Sequence, residues 1–384
     1  MRIAIDAMGG DLAPRVVVEG ALEAVKGSAC EVILVGDKEI IKDEIEKLGG
    51  ARGLPIFIKD APEVIGMNEH PVNALRKKRN SSIRKAVEQV KKGKARAVVS
   101  AGNTGAVMVA AKILLGTLEG VSRPGIAVTL PGRRRPFLLI DAGANVGSRP
   151  ENLLEFAIMG HLYAKYLMAN ESPRIGLLSI GEEEIKGDGL IRTSFQLLRR
   201  ATQLNFMGNV EAKEIFNNFA DVVVCDGLAG NLTLKVGEAV ASLMVHYIKE
   251  EFPRDLRGKL AHLFFRRAIQ RIKVRTDYKE YGGAPLLGVN GICIICHGSS
   301  NAYAIRNAVN AACEFAEKRL NKRIENNLEA VKESLGLGKG FWSSIREWKD
   351  WKEAFRLRGE RAGEEDEGLL SGPIEEGKGE EEYD

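Results

Sequence analysis

The sequence predicts an α/β protein: a doubly wound sheet with a second lobe. Three observations carry this expectation. Short aliphatic, β-branched runs alternate with segments of helical period along most of the chain. Most of those runs end in Gly with Asp, Asn or Ser, the composition of a strand-to-helix turn. The 384 residues are 45% hydrophobic and include 42 glycines, enough apolar mass for a large core and many such turns.

Met1 to Met8 reads as a strand ending at Gly9-Gly10-Asp11, and Pro14 opens a helix to Val25. Asp6 and Asp11 flank that turn, where they orient a ligand or cap the helix. Val32 to Val35 and Ile56 to Ile58 are the next strands, and Arg76 to Ser82 is a basic connection with the composition of a solvated face. The run Ala95 to Ser100 then enters Ala101-Gly102-Asn103-Thr104-Gly105 and a helix to Leu115. Strand, tight turn and helix N-terminus present backbone N–H groups to an anion. Ser100, Asn103 and Thr104 add side-chain donors, while the absence of Lys after the glycines argues against a nucleotide P-loop.

The same grammar repeats. Ile126 to Leu130, a turn at 131–136 and Phe137 to Ile140 lead into Asp141-Ala142-Gly143-Ala144-Asn145 and a helix from Pro150 to Met168. Arg174 to Ser179 ends in Gly181-Glu182-Glu183 with Lys186-Gly187, and a helix lies near Ser194. Phe206 to Glu211 carries Gly208-Asn209, and Asp221 to Cys225 feeds Asp226-Gly227 and Gly230-Asn231, with a helix beginning at Leu232. Ligands of open α/β sheets collect at the carboxyl ends of strands, so these polar ends are expected to gather.

From Ala239 to Lys273 the pattern is helical, interrupted at Pro253. Leu256, Leu260, Leu263 and Phe264 form an apolar stripe with Arg267 among the cations beside it. Such a helix suits an anionic lipid surface, a core or a partner subunit. Ile292 to Cys296 is a strand ending at His297-Gly298-Ser299. Cys293-x-x-Cys296-His297 has haem or dithiol spacing, but positions three apart on a strand face opposite sides, which makes these core cysteines. The expected organisation is a catalytic domain of two closely associated lobes over 1–325, a charged, glycine-containing linker over 326–340, an amphipathic Trp-rich helix over 341–358 and a disordered acidic tail over 359–384.

The net charge of +4 hides an asymmetry: residues 359–384 carry a net −9, which leaves +13 on residues 1–358. A basic body suits nucleic acid, anionic lipid or an acidic carrier, and no nucleic-acid recognition motif accompanies it. No apolar run of about 18 residues is present, and Asp6 inside the first apolar run argues against a secretory signal. Five scattered cysteines fit a reduced, cytoplasmic protein, and no metal-ligand spacing emerges.

Taken together, Asp6 to Asp11, Ser100 to Ala106, Asp141 to Asn145, Gly181 to Gly187, Gly208-Asn209, Asp226 to Asn231 and Tyr281 to Ser299 resemble the bacterial phosphate acyltransferase family of membrane-lipid synthesis. The chain departs from the family pattern at Gly147, Ser179 and Leu228-Ala229. The resemblance implies a three-layer α/β/α fold like isocitrate and isopropylmalate dehydrogenases and related to phosphotransacetylases. It implies a homodimer without cofactor or metal that takes acyl carrier protein and inorganic phosphate as substrates. It also implies cytoplasmic location against the inner face of the cell membrane, and a glycerol-3-phosphate acyltransferase as the consumer of the acyl phosphate.

Phosphate is already a nucleophile and a thiolate a tolerable leaving group, so the protein has to orient phosphate and stabilise an oxyanion. Lys186 and Asn231 are the catalytic candidates. Ser100, Gly102, Asn103 and Thr104 are candidates for phosphate, with Asn145, Asn209, Asp226 and His297 as further substrate ligands. Two rivals stay open: a nicotinamide dehydrogenase, which lacks its Gly-x-Gly-x-x-Gly turn here, and a non-enzymatic module that binds carrier protein or lipid through the basic helices.

Overall fold

A computed structural model describes residues 1–26, 30–250 and 281–336. The chain begins with β1 (Arg2–Asp6), α1 (Arg15–Lys26), β2 (Glu31–Gly36), α2 (Lys38–Lys47), β3 (Ile56–Asp60), α3 (Pro71–Lys77), α4 (Ser82–Lys91), β4 (Ala97–Ser100) and α5 (Thr104–Leu114). The chain continues through β5 (Gly125–Leu130), β6 (Phe137–Ile140), α6 (Pro150–Tyr166), β7 (Arg174–Ser179), α7 (Gly189–Arg200), β8 (Asn205–Glu211), β9 (Val222–Val224) and α8 (Gly227–Glu250). The chain then returns through β10 (Ala284–Leu287), β11 (Ile292–Ile295), α9 (Ala302–Glu317) and α10 (Leu320–Ser334).

The strands form one sheet in the order β3-β2-β1-β4-β11-β10-β5-β6-β9-β7-β8. β4, β6, β9 and β11 are buried at every position, which is why they read as unbroken aliphatic runs. β3, β2, β1, β4 and β11 are mutually parallel. β10 is antiparallel to both β11 and β5, and β5 is antiparallel to β6. β6, β9, β7 and β8 are again parallel to one another. The two parallel sets therefore point in opposite directions, and their carboxyl ends emerge on opposite edges of the sheet.

β10 has no counterpart in the sequence reading, because Pro285 lies inside it and proline removes a ladder donor. It is accommodated where the partner changes: Ala284 and Pro285 register with β11, Leu286 and Leu287 with β5. Helix α10 buries Leu320, Ile324, Leu328 and Val331, so the compact unit runs to Leu335 and not only to 325. The stretch read as a linker from 326 is helix through Ser334. A buried ion pair fastens α10 to α6: Lys332 Nζ donates to Glu155 Oε1 at 2.7 Å, with side-chain exposures of 13% and 2%. The other Glu155 oxygen accepts from Ser122 N and Oγ at 2.9 and 2.6 Å.

Helix α8 is the exception to burial. Leu228, Leu232, Val236 and Val240 follow one another at every fourth position and are 50–62% exposed. By length and composition its span Gly227–Ile248 is apolar enough to cross a membrane, with a mean hydropathy of 1.2 over 18 residues, which corrects the reading that no such apolar run is present. The stripe Leu256, Leu260, Leu263, Phe264 with Arg267, the Trp-rich segment and the acidic tail lie outside the described residues.

Candidate functional site

The candidate residues divide between two edges and do not gather into one site. After β4 and β11 come Ser100, Gly102, Asn103, Thr104 and His297; after β6, β7 and β9 come Asn145, Lys186, Asp226 and Asn231, with Asn209 on β8. The six residues of β5 span roughly 20 Å at about 3.3 Å each. Within one chain the two groups are too far apart to hold one phosphate.

On the first edge most polar groups are already committed. Ser100 Oγ donates to Asp6 Oδ2 at 2.6 Å and accepts from Gly102 N at 3.1 Å. Asn103 caps α5, its Oδ1 accepting from Ala106 N at 3.0 Å, while Nδ2 donates to the carbonyls of Gly66, Met67 and Glu69 at 3.1, 2.9 and 3.1 Å. These two side chains build the turn, and their donors are engaged within the protein. Thr104 is exposed in the first turn of α5. His297 Nδ1 lies 2.9 Å from Ser299 Oγ and 3.2 Å from Ser299 N, so the ring is held against its own turn.

Asp6 is fully buried and caps no helix; burial pushes its carboxyl above the usual range against the pull of the Ser100 hydroxyl. A raised folded-state value means that this carboxyl adds stability below its ordinary value and loses it as pH rises through the folded one. Asp6→Asn removes that dependence. The stability of the variant relative to the parent is expected to improve as pH rises above the ordinary carboxylate range. Thermal melts in matched buffers test this, and a pH-independent difference would exclude it.

On the second edge Asp141 organises the backbone. Its Oδ1 accepts from the amides of Ile126, Gly143 and Ala144 at 2.9, 3.1 and 2.9 Å, and its Oδ2 from Asn145 N and Nδ2 at 2.8 and 2.9 Å. Burial nevertheless pushes this carboxyl up. Asn145 Nδ2 also donates to Pro124 O at 2.7 Å, so that side chain is likewise structural. Asp226 accepts from Ser148 N at 2.8 Å and Leu228 N at 2.9 Å. It opens α8 at Gly227, so Asn231 lies inside the helix and is not its cap. A Cβ at Gly227 would stand 2.8 Å from Asp141 Oδ2, and one at Gly230 2.9 Å from Cys225 Sγ; only glycine lets α8 seat on this loop.

The side chains of Asn231 and Lys186 have no partner among the described residues. Asn231 is exposed above Gly143 and makes no hydrogen bond to the described residues. Lys186 is exposed without an ion pair to the described residues; its backbone N–H donates to Glu183 O at 3.0 Å and its stem lies against Gly181. Asn209, 3% exposed, donates to the same Glu183 carbonyl at 2.8 Å and thereby holds the Lys186 loop, with its own Oδ1 buried and unpaired. β9, which leads to Asn231, and β7, which leads to Lys186, are neighbours in the sheet. Cation and amide thus belong to adjacent strand ends, beside the positive end of a 24-residue helix. Cys293 and Cys296 are buried with thiols pushed up to about 12, which removes them as nucleophiles. Among the described residues no three His, Cys, Asp or Glu side chains converge to hold a metal.

Sequence reasoning missed a third group, on the first edge but among the strands from β5 to β9. Arg134, Arg135, Arg174 and Asn218 line a concavity of about 390 Å³. Arg135 also lines a neighbouring apolar cavity of about 350 Å³ between α6 and α9. The triplet Arg133-Arg134-Arg135 reads locally as a turn, and nothing in it signals Arg174 or the cavity.

Residues 1–323 match the family described as "Fatty acid synthesis protein". A phosphate acyltransferase of Pelotomaculum thermopropionicum is 49% identical over 331 residues, covering 86% of this chain and 96% of the relative. One from Thermodesulfovibrio yellowstonii is 48% identical over 333 residues, covering 87% and 96%. Among solved structures, a phosphotransacetylase from Streptococcus pyogenes aligns with a TM-score of 0.58 at 18% identity, covering 82% of this chain and 94% of the other. At that identity the likeness shows the fold, and it agrees with the architecture the resemblance implied.

Proposed function

Because the chain belongs to the phosphate acyltransferases of the family described as fatty acid synthesis proteins, we propose that it moves a long-chain acyl group from the thioester of acyl carrier protein to inorganic phosphate. The observation that carries the site assignment is the pair Lys186 and Asn231: a cation and an amide of the second edge whose side chains have no partner among the described residues. A phosphate oxygen attacks the thioester carbonyl carbon and the carbonyl oxygen takes the negative charge. Collapse breaks the C–S bond, and the carrier thiolate leaves and takes a proton from water. Lys186 neutralises phosphate or oxyanion, Asn231 donates N–H to the oxyanion, and the α8 dipole favours the same charge. The net +13 of residues 1–358 suits an acidic carrier.

The test is incubation of the full chain with long-chain acyl carrier protein and radiolabelled phosphate. Labelled acyl phosphate and free carrier are expected. Thioester loss without label, or hydride transfer to a nicotinamide cofactor, would replace this reading.

The exposed stripe of α8 supports a homodimer in which this helix meets its counterpart in a second copy. Val236→Glu together with Val240→Glu is expected to convert a species of two chains into one of a single chain, read by sedimentation equilibrium. A parent protein that already sediments as one chain excludes the reading. An acyl phosphate has a long apolar chain and a mixed anhydride prone to hydrolysis, so release at the cytoplasmic face of an anionic membrane, to a glycerol-3-phosphate acyltransferase, completes the proposal. The basic segment 254–273 is its candidate contact.

A further inference from the structure

The arginine cluster and the apolar cavity beside it are unused by the chemistry above, on the sheet edge opposite to Lys186 and Asn231. The cluster is built, not incidental. Arg133 N donates to Phe216 O at 2.8 Å and Arg134 N to Asn218 Oδ1 at 2.7 Å, while Asn218 Nδ2 donates to Arg135 O at 2.7 Å. Asn218 adopts a left-handed conformation (φ 61°) to serve both strands, and its carbonyl accepts from Arg174 Nη2 at 2.7 Å. Asp221 compensates only part of the charge: it takes Arg174 through Nε and Nη2 at 3.1 Å each, and Arg135 at 2.7 Å. Arg133 and Arg134 are exposed and have no ion pair with the described residues. Like charges held this close are costly without a counter-ion, and guanidinium groups match phosphate oxygens in pairs.

The adjoining cavity of about 350 Å³ shares Arg135 and Asp221 with the cluster and is lined by Tyr163, Leu167, Met168, Tyr281 and Phe315, with Glu314 at its margin. Its size lies at the lower end of small-molecule sites. An apolar cavity opening beside a cationic concavity matches one kind of ligand. We propose that this pair of cavities binds a single-chain amphiphile with a phosphate head, the head against Arg134 and the tail between α6 and α9. Acyl phosphate and acylated glycerol phosphate share that chemistry, and either makes this a product-sensing site distinct from the reacting edge. Only the choice of ligand rests on the proposed reaction.

The experiment is calorimetry on the full chain, below micelle formation, with dodecyl phosphate, dodecanoyl glycerol phosphate and inorganic phosphate, on the parent, Arg134→Gln and Leu167→Trp. Loss of one charge-assisted contact is expected to weaken both amphiphiles about tenfold. The indole is expected to fill the cavity and weaken them as well, with turnover kept in both variants. Tighter binding of dodecyl phosphate identifies the product itself, and of the glycerol ester a later lipid; both outcomes support the site. Unchanged binding in both variants, or equal binding of inorganic phosphate, overturns it and leaves the proposed reaction untouched. Loss of turnover together with binding, in variants that remain folded, would instead make this cavity the reacting site and overturn the assignment of Lys186 and Asn231.

Discussion

Lys186→Ala is expected to lower turnover about a hundredfold, or about 3 kcal/mol of transition-state stabilisation, without changing the unfolding midpoint. The two halves of this expectation have separate causes. Lys186 is exposed and unpaired among the described residues, and its stem only covers Gly181, so truncation leaves no buried charge or cavity behind. Surface changes of that kind usually fall within about 0.5 kcal/mol. The rate falls because a charge aimed at phosphate or oxyanion is lost. Lys186→Arg keeps the charge in a different geometry and should recover only part of the rate. Asn231→Ala is expected to behave like Lys186→Ala, and Asn231→Asp to be worse, since it sets a carboxylate against an anion. The KM for phosphate separates the roles: a group that binds ground-state phosphate raises KM, whereas one that meets only the oxyanion lowers kcat. Near-parental kcat and KM in folded variants would move the chemistry to Thr104 and His297 on the other edge.

Lys332→Ala is expected to cost about 3–5 kcal/mol of stability, the usual effect of breaking a buried ion pair from one side. Glu155, with a side chain 2% exposed, keeps only the Ser122 amide and hydroxyl on its far oxygen, while the oxygen that met Lys332 faces no cation. The loss should appear as a lower urea midpoint with an unchanged slope. Pairing Lys332→Met with Glu155→Gln removes both charges and should regain most of it, because the desolvation cost disappears with the attraction. Equal midpoints for the parent and Lys332→Ala would mean that α10 is held by its apolar stripe alone. The position matters for function too: Glu155 lies on α6, which leaves the loop that Asp141 organises beside Asn231.

Turn chemistry is local, and the sequence is a good guide to it. Phe137–Ile140 and Arg174–Ser179 are strands with the expected ends, and each polar strand end falls where a glycine-bearing turn marks it. The same locality explains why Lys186 and Asn231 stand out within their motifs. Strand direction is not local. Three antiparallel pairings in a row, β11 with β10, β10 with β5 and β5 with β6, leave the two parallel sets opposed; Pro285 conceals β10, and without it the sequence does not show which strands β5 and β11 meet. Nor does it show the commitment of side chains. Ser100 and Asn103 look as available as Lys186 until Asp6, 94 positions from Ser100, and the carbonyls of Gly66, Met67 and Glu69 are folded against them. The residue types and turns of this protein were determined by sequence alone; which donors remain free, and on which edge, was decided by tertiary packing, because a hydrogen bond between distant segments exists only once the chain between them has folded.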